Sequence, residues 1–292
     1  MNPDLSVCIV NWNTRDLLDA CLNSLRDNAG GLELEVIVVD NASTDGSPDM
    51  VRERHPQAKL IANEQNRYYA AANNQALRLS RAAQKLLLNP DIVVPPGSLT
   101  TLLGFLEQHP HAGAVAPRLR EPDGTVQRSC RTFPAPSAVL WEALGLSRLW
   151  PHHPVFGAYR MGWWDYDSER PVDQPMASAL LLRGAALDQV GMFDEQFPMF
   201  FNDVDLCRRL WDAGWEVWFT PAAEMVHHGG AATRQVRREM IVESHRAFVA
   251  YYRKHYQGRL NPFAYSLTVG LLKVGLWARL LAHAIGGGKG EA

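Results

Sequence analysis

Apolar residues along this chain fall into two alternating rhythms. Leu5 to Val10 is a short run rich in β-branched side chains, which predicts a buried strand. Thr14 then stands where a helix cap belongs, and Leu18, Cys21, Leu22 and Leu25 recur at helical spacing on one face. A second strand is expected over Leu34 to Val39, followed by a polar stretch in which Ser47 suits an N-cap and Pro48 the first helical position. Leu60-Ile61, Leu86 to Leu88 and Ala114 to Ala116 read as further strands, with helices over Ala70 to Arg78 and Leu99 to Glu107 between them. Such alternation predicts an α/β domain with a mostly parallel sheet covered by helices on both faces.

Residues 118 to 175 break this rhythm with many prolines and aromatics, so loops and one short helix near Ser137 to Leu146 are expected there. Order resumes with an apolar strand from Met176 to Leu182, a helix over Ala185 to Val190 and another from about Asp203 to Ala213. A strand pair, Glu216 to Phe219 and Glu224 to His227, closes the body, and helices are expected over Arg234 to His255 and after Asn261-Pro262. The reading divides the chain at residue 230, into a nucleotide-binding body of residues 1–230 and a helical extension of residues 231–292.

With 47% hydrophobic side chains over 292 residues, the chain can bury a substantial core. The four cysteines form no C-x-x-C pair and are expected to be reduced and core-filling. Charge changes the picture once it is divided. Residues 231–292 hold ten Lys or Arg against three Glu, a balance of +7, while residues 1–230 balance at -9. A basic tail on an acidic body points to an anionic surface as its partner, phospholipid before nucleic acid, or to a merely solvated helix. The last helix carries an apolar face of Phe263, Leu267, Leu271, Val274, Trp277, Ala278, Leu281 and Ile285, with Lys273 near its centre. That pattern suits a helix lying in a membrane interface better than one spanning it, and a core-packing or dimer helix is the alternative. Met1 to Asp4 runs straight into the first strand without the basic start and long apolar run of a secretory signal, so the body is expected in the cytoplasm.

In open α/β sheets ligands bind beyond the carboxyl ends of the strands, which directs attention to Asp40 after the second strand and Asn89-Pro90-Asp91 after Leu86 to Leu88. The turn after the first strand, Asn11-Trp12-Asn13-Thr14-Arg15, has no glycine, so the dinucleotide fingerprint is absent, as is a Walker loop. A nucleotide site would therefore rest on carboxylates and a divalent Mg or Mn, for which Asp91 is well placed. Asp203 and Asp205 both open an amphipathic helix; one is expected to cap it and the other to accept a proton from an attacking hydroxyl. His227 and His228 must point to opposite faces of their strand, so at most one of them faces the site.

Taken in order, Ser6 to Asn13, Val38 to Ser47, Leu88 to Asp91, Val190 to Glu195, Asp203 to Cys207 and His227 to Gly230 resemble glycosyltransferase family 2, especially its bacterial rhamnosyltransferase-like members. The resemblance implies the GT-A (Rossmann-like) fold and inverting transfer from a dTDP- or UDP-sugar to a hydroxyl of a saccharide or lipid-linked saccharide, at the inner face of the cytoplasmic membrane and without nucleic acid. It implies that Asp40 hydrogen-bonds the donor base, that Val10, Asn11, Trp12, Asn66 and Asn89 complete the donor site, that Asp91 holds the metal with His227 or His228, and that Asp203 is the general base. Asn89, Asn202 and Tyr68 stand where relatives commonly carry an acid, a Glu and a glycine. A non-catalytic nucleotide-sugar-binding scaffold of the same fold is the alternative.

Overall fold

A computed structural model describes residues 2–229 and 237–286. Its first half alternates as the periodicity requires: β1 (Leu5–Asn11), α1 (Arg15–Asp27), β2 (Leu34–Asp40), α2 (Ser47–Arg54), β3 (Lys59–Ala62), α3 (Tyr68–Leu79), β4 (Gln84–Leu88), the short β5 (Ile92–Val93) and α4 (Ser98–Gln108). β6 (Ala112–Arg120) leads into the irregular region, which holds β7 (Val126–Gln127), β8 (Cys130–Arg131), α5 (Pro136–Ala143), α6 (Leu146–Leu149), β9 (Arg170–Pro171) and β10 (Gln174–Pro175). β11 (Ala179–Arg183), α7 (Gly184–Val190), α8 (Asn202–Asp212), β12 (Glu216–His227), α9 (Arg237–Tyr256) and α10 (Pro262–Gly286) follow.

The main sheet runs β3-β2-β1-β4-β11-β6-β12-β5. It is parallel from β3 to β4, but β11 lies antiparallel to both β4 and β6, so the sheet as a whole is mixed. Alternating side chains divide it between two cores. Val7 and Ile9 pack with α1 and α4 on one face, and Cys8, Ile37 and Leu87 pack with α3 and α8 on the other. All four cysteines are buried and free, and burial pushes their thiol pKa values upward, as expected of core residues.

Several local expectations are corrected. Thr14 holds the N-cap position of α1 as expected, but its hydroxyl accepts no helix amide and donates instead to Asn11 Oδ1 at 2.6 Å. Ser47 is the first residue of α2, and Gly46, at φ 82°, holds the cap position, because the Ser47 hydroxyl is taken by Asp45 Oδ1 at 2.6 Å. The expected strand pair at the end of the body is one strand, β12, which shifts register against β6 between Thr220 and Glu224, around Pro221. The strand expected from Met176 starts only at Ala179.

A third apolar cluster joins Val139 of α5, Val204 of α8, Ala247, Tyr251 and Tyr252 of α9 and Leu272 of α10. Asn261 Oδ1 accepts the Phe263 amide at 2.9 Å at the start of α10, as its position before Pro262 implied. Arg234, where the preceding helix was expected to begin, lies outside the described residues. Among the described residues no helix is long and apolar enough to cross a membrane.

Candidate active site

An open cavity of about 540 Å³ lies beyond the carboxyl ends of β1 and β4. β1 is flanked by β2 and β4, so chain connections leave it in both directions, and crevices form at such reversals. Val10, Trp12, Asn66, Asn89, Asp91, Asp203 and His227 all line the cavity. Asn11 and Asp40 do not. They are paired in register at the ends of β1 and β2, both buried, and Asn11 Nδ2 donates to Asp40 Oδ1 at 2.8 Å. The other Asp40 oxygen accepts the Ser43 amide at 2.9 Å. Each group satisfies the other, so in this structure the pair braces the loops that carry Trp12 and Ser43 instead of presenting polar atoms to the cavity.

Asp91 and His227 meet because β5 and β12 run antiparallel, with His227 opposite Ile92, and because the His228 amide donates to the Asp91 carbonyl at 3.0 Å. His227 is buried and faces the cavity, whereas His228 is exposed. His227 Nε2 lies 3.3 Å from Asp91 Oδ1, yet both atoms are buried without a hydrogen bond. The other ring nitrogen has a partner. Gln127 Nε2 donates to the Glu121 carboxylate at 2.7 Å, which turns Gln127 Oε1 toward His227 Nδ1 at 2.6 Å. An amide oxygen can only accept, so Nδ1 carries a proton and donates it to Gln127, which leaves Nε2 as the ring nitrogen that faces the cavity. Two buried atoms of ligand-forming groups, 3.3 Å apart and without a hydrogen bond, fit a cation beside them, and Gln127 is the outer hydrogen bond that such a histidine ligand needs. Among the described residues no three His, Cys, Asp or Glu side chains converge on one point, and Asp91 and His227 are the two that meet here.

The two carboxylates of α8 have separate fates. Asp205 is fully buried and holds Arg209 at 2.8 Å, Lys254 at 2.7 Å and His255 at 2.7 Å. Burial alone would raise its pKa, but the His255 and Lys254 hydrogen bonds and the Arg209 charge hold it below the usual carboxylate range. Asp203 faces the cavity. It accepts only backbone amides, from Val204 at 2.8 Å and Ala177 at 3.4 Å, and burial raises its pKa. A carboxylate with a raised pKa and no cationic partner is suited to take up a proton.

The family model for glycosyl transferase family 2 matches residues 6–167, more than half of the chain. The chain belongs to glycosyltransferase family 2. The N-acetylglucosaminyl-diphospho-decaprenol L-rhamnosyltransferase of Mycobacterium tuberculosis is 34% identical to this glycosyltransferase over 258 residues, covering 85% of this chain and 83% of the relative. The rhamnosyltransferase WbbL of Escherichia coli is 27% identical over 146 residues, 49% of this chain and 51% of the relative. Among solved structures, the mannosyltransferase PcManGT of Pyrobaculum calidifontis, in complex with GDP-Man and Mn2+, superposes with a TM-score of 0.60 at 19% identity, over 100% of this chain and 77% of that one. That likeness carries the fold, which is GT-A.

The glycosyltransferase cavity also holds residues outside the expected site set, among them Tyr68, which the sequence marked only as a departure from relatives. Tyr68 lines it in the left-handed region at φ 59°, held by Asn66 Oδ1, which accepts its amide at 2.8 Å, and by Asn41 Nδ2, which donates to its carbonyl at 3.1 Å. Such a conformation strains any residue other than glycine. Met176, Ala177 and Ser178 reach the cavity because the chain bends there before β11 begins. Glu239 and Met240 of α9 also line it, from the segment assigned to the extension. No local motif marks them, because only the docking of α9 on α8 brings them near.

Proposed function

We propose that this glycosyltransferase is inverting and moves a sugar, with rhamnose the leading candidate, from a dTDP- or UDP-linked donor to a hydroxyl of a lipid-linked saccharide in cell-surface polysaccharide synthesis. The observation that carries this reading is the Asp203 carboxylate, which shares one cavity with the Asp91–His227 pair and has no cationic partner to neutralise it. The M. tuberculosis relative supports the choice of sugar and of an N-acetylglucosamine-diphospho-lipid acceptor. Val10, Trp12, Asn66 and Asn89 would hold the donor, and Asp40 with Asn11 would act one layer behind, fixing the loops on which the base rests. Asp91 and His227 would hold a divalent Mn or Mg cation, which supplies positive charge to the departing diphosphate. Asp203 accepts the proton of the acceptor hydroxyl as its oxygen bonds to the anomeric carbon. The bond from that carbon to the diphosphate oxygen breaks on the opposite face, so configuration inverts.

In this reading residues 1–230 carry the donor site and residues 231–292 form an extension that meets the membrane. Phe263, Leu267, Val274 and Trp277 repeat along one exposed stripe of α10. That helix contains Lys273 and Arg279 and no acidic residue. Lys273 flanks the stripe by helical spacing, and an anionic lipid surface accepts both that charge and the apolar stripe, whereas a second copy of this helix has no acidic residue to pair with it. Such a contact would hold the enzyme at the inner face of the cytoplasmic membrane.

Asp203→Asn tests the mechanism. Transfer should fall by roughly 10²- to 10⁴-fold with donor binding retained, and the wild-type product should carry the anomeric configuration opposite to the donor's. Asn202 and the strained Tyr68 favour a second reading, a scaffold that binds donor without turnover. Intact donor binding by an inactive wild type would establish it.

A further inference from the structure

The first turn of α9 reaches the cavity that Asp203 faces, and its Glu239 and Met240 line that cavity as do Met199, Phe200 and Asn202. This helix is firmly placed. Tyr251 and Tyr252 are fully buried, the Phe201 ring lies 4.5 Å from Phe248 and 5.5 Å from Tyr251, and Asp205 holds Lys254 and His255. Phe201 immediately precedes α8, the helix that bears Asp203, so the base and α9 share one packed unit. Glu239 lies nine residues before Phe248, roughly 13 Å farther along the helix at about 1.5 Å per residue.

An acid in the first turn of a helix ordinarily finds a free backbone amide. Glu239 is exposed and, among the described residues, makes no hydrogen bond or ion pair. It does not join Asp91 and His227 as a third ligand, since among the described residues no three such groups converge. Nor does its negative charge suit the donor diphosphate. The ligands that a lone carboxylate in this cavity recognises are hydroxyl groups, which donate to its two oxygens.

We propose that Glu239 and Met240 form the acceptor subsite, in which the Glu239 carboxylate accepts hydrogen bonds from neighbouring hydroxyls of the acceptor sugar and the Met240 thioether covers its C–H face. The C-terminal extension is then part of the active site, and Glu239 is a specificity-determining residue. This inference rests on the transferase reading above.

The test measures transfer to a short-chain N-acetylglucosaminyl-diphospho-lipid at saturating donor, for wild type, Glu239→Ala, Glu239→Gln and Met240→Ala, with donor Kd measured separately by calorimetry. Glu239→Ala should raise acceptor KM roughly tenfold to a hundredfold, the range of a charged hydrogen bond, and leave donor Kd within about twofold. Glu239→Gln, which keeps one accepting oxygen, should lie between wild type and Ala, and Met240→Ala should raise acceptor KM several-fold. An unchanged acceptor KM in Glu239→Ala, or a donor Kd that rises in step with it, overturns the inference while leaving the transferase reading intact. A wild type that transfers no sugar overturns both.

Discussion

Replacing Asp205 with Asn removes a carboxylate held by two cationic side chains, Arg209 and Lys254, and by His255, and replacing Asp203, two residues earlier on the same helix, removes one that has no such partner. The two changes should act on stability in opposite directions. Loss of one partner of a buried ion pair costs about 3–5 kcal/mol, because the remaining charge is left uncompensated. Here Arg209 and Lys254 keep 18% and 28% of their side-chain surface in water, so the lower end, about 3 kcal/mol, is expected. At roughly 2 °C per kcal/mol for a chain of this size, Asp205→Asn should melt about 6 °C below wild type. The Asp205 pKa is depressed, so its contribution is complete above the unfolded carboxylate pKa of about 3.9 and is lost as pH falls through the lower folded value. The deficit should therefore be the same at pH 7 and pH 5. The Asp203 pKa is raised, so the folded state holds its proton more tightly than the unfolded chain, and stability is lost as pH rises through the folded value. Asp203→Asn removes that loss and should melt at or above wild type at pH 7, with the gain shrinking toward acid. Thermal melts followed by circular dichroism at both pH values decide the matter. An Asp203→Asn protein that melts as far below wild type as Asp205→Asn would refute the assignment of base and brace.

Three further outcomes are expected. Gln127→Ala frees the His227 ring from its Nδ1 hydrogen bond and should weaken Mn binding about 10- to 100-fold, read by calorimetry or by the spectrum of free Mn; unchanged affinity would remove the outer-shell role. Because burial raises the Asp203 pKa, kcat/KM should rise with pH along an acid limb lying above the ordinary aspartate range, and this limb should vanish from the residual activity of Asp203→Asn; a limb that persists there belongs to another group. Trp277→Ala combined with Val274→Ser should reduce sedimentation with vesicles of anionic phospholipid by roughly tenfold or more, since each side chain contributes about 1.5–3 kcal/mol when buried. A shift from dimer to monomer with vesicle binding unchanged would assign α10 to self-association instead.

Much of this fold was legible because its strands are short apolar runs buried on both faces, and Asp91 could be placed because it follows such a run directly. Thr14 stands at its cap and Ser47 one position inside its helix, yet neither hydroxyl caps, since each donates to a partner, Asn11 or Asp45, that only the folded turn reveals. Adjacent carboxylates at a helix start look alike in sequence; Asp205 became the brace through Lys254 and His255, some fifty residues away. Gln127 was invisible for the same reason, lying a hundred residues from the histidine it orients. The Asp40–Asn11 pair shows the converse limit. Position at a strand end directs attention to both residues, but not to the hydrogen bond by which these two side chains in register hold each other.

Sugar transfer by purified protein across UDP-, dTDP- and GDP-linked donors, with and without Mn or Mg, for wild type and Asp91→Ala, tests the central claim most directly. The expected result is metal-dependent use of one pyrimidine donor by wild type and its loss in Asp91→Ala. Equal transfer by both proteins in the presence of chelator would contradict it.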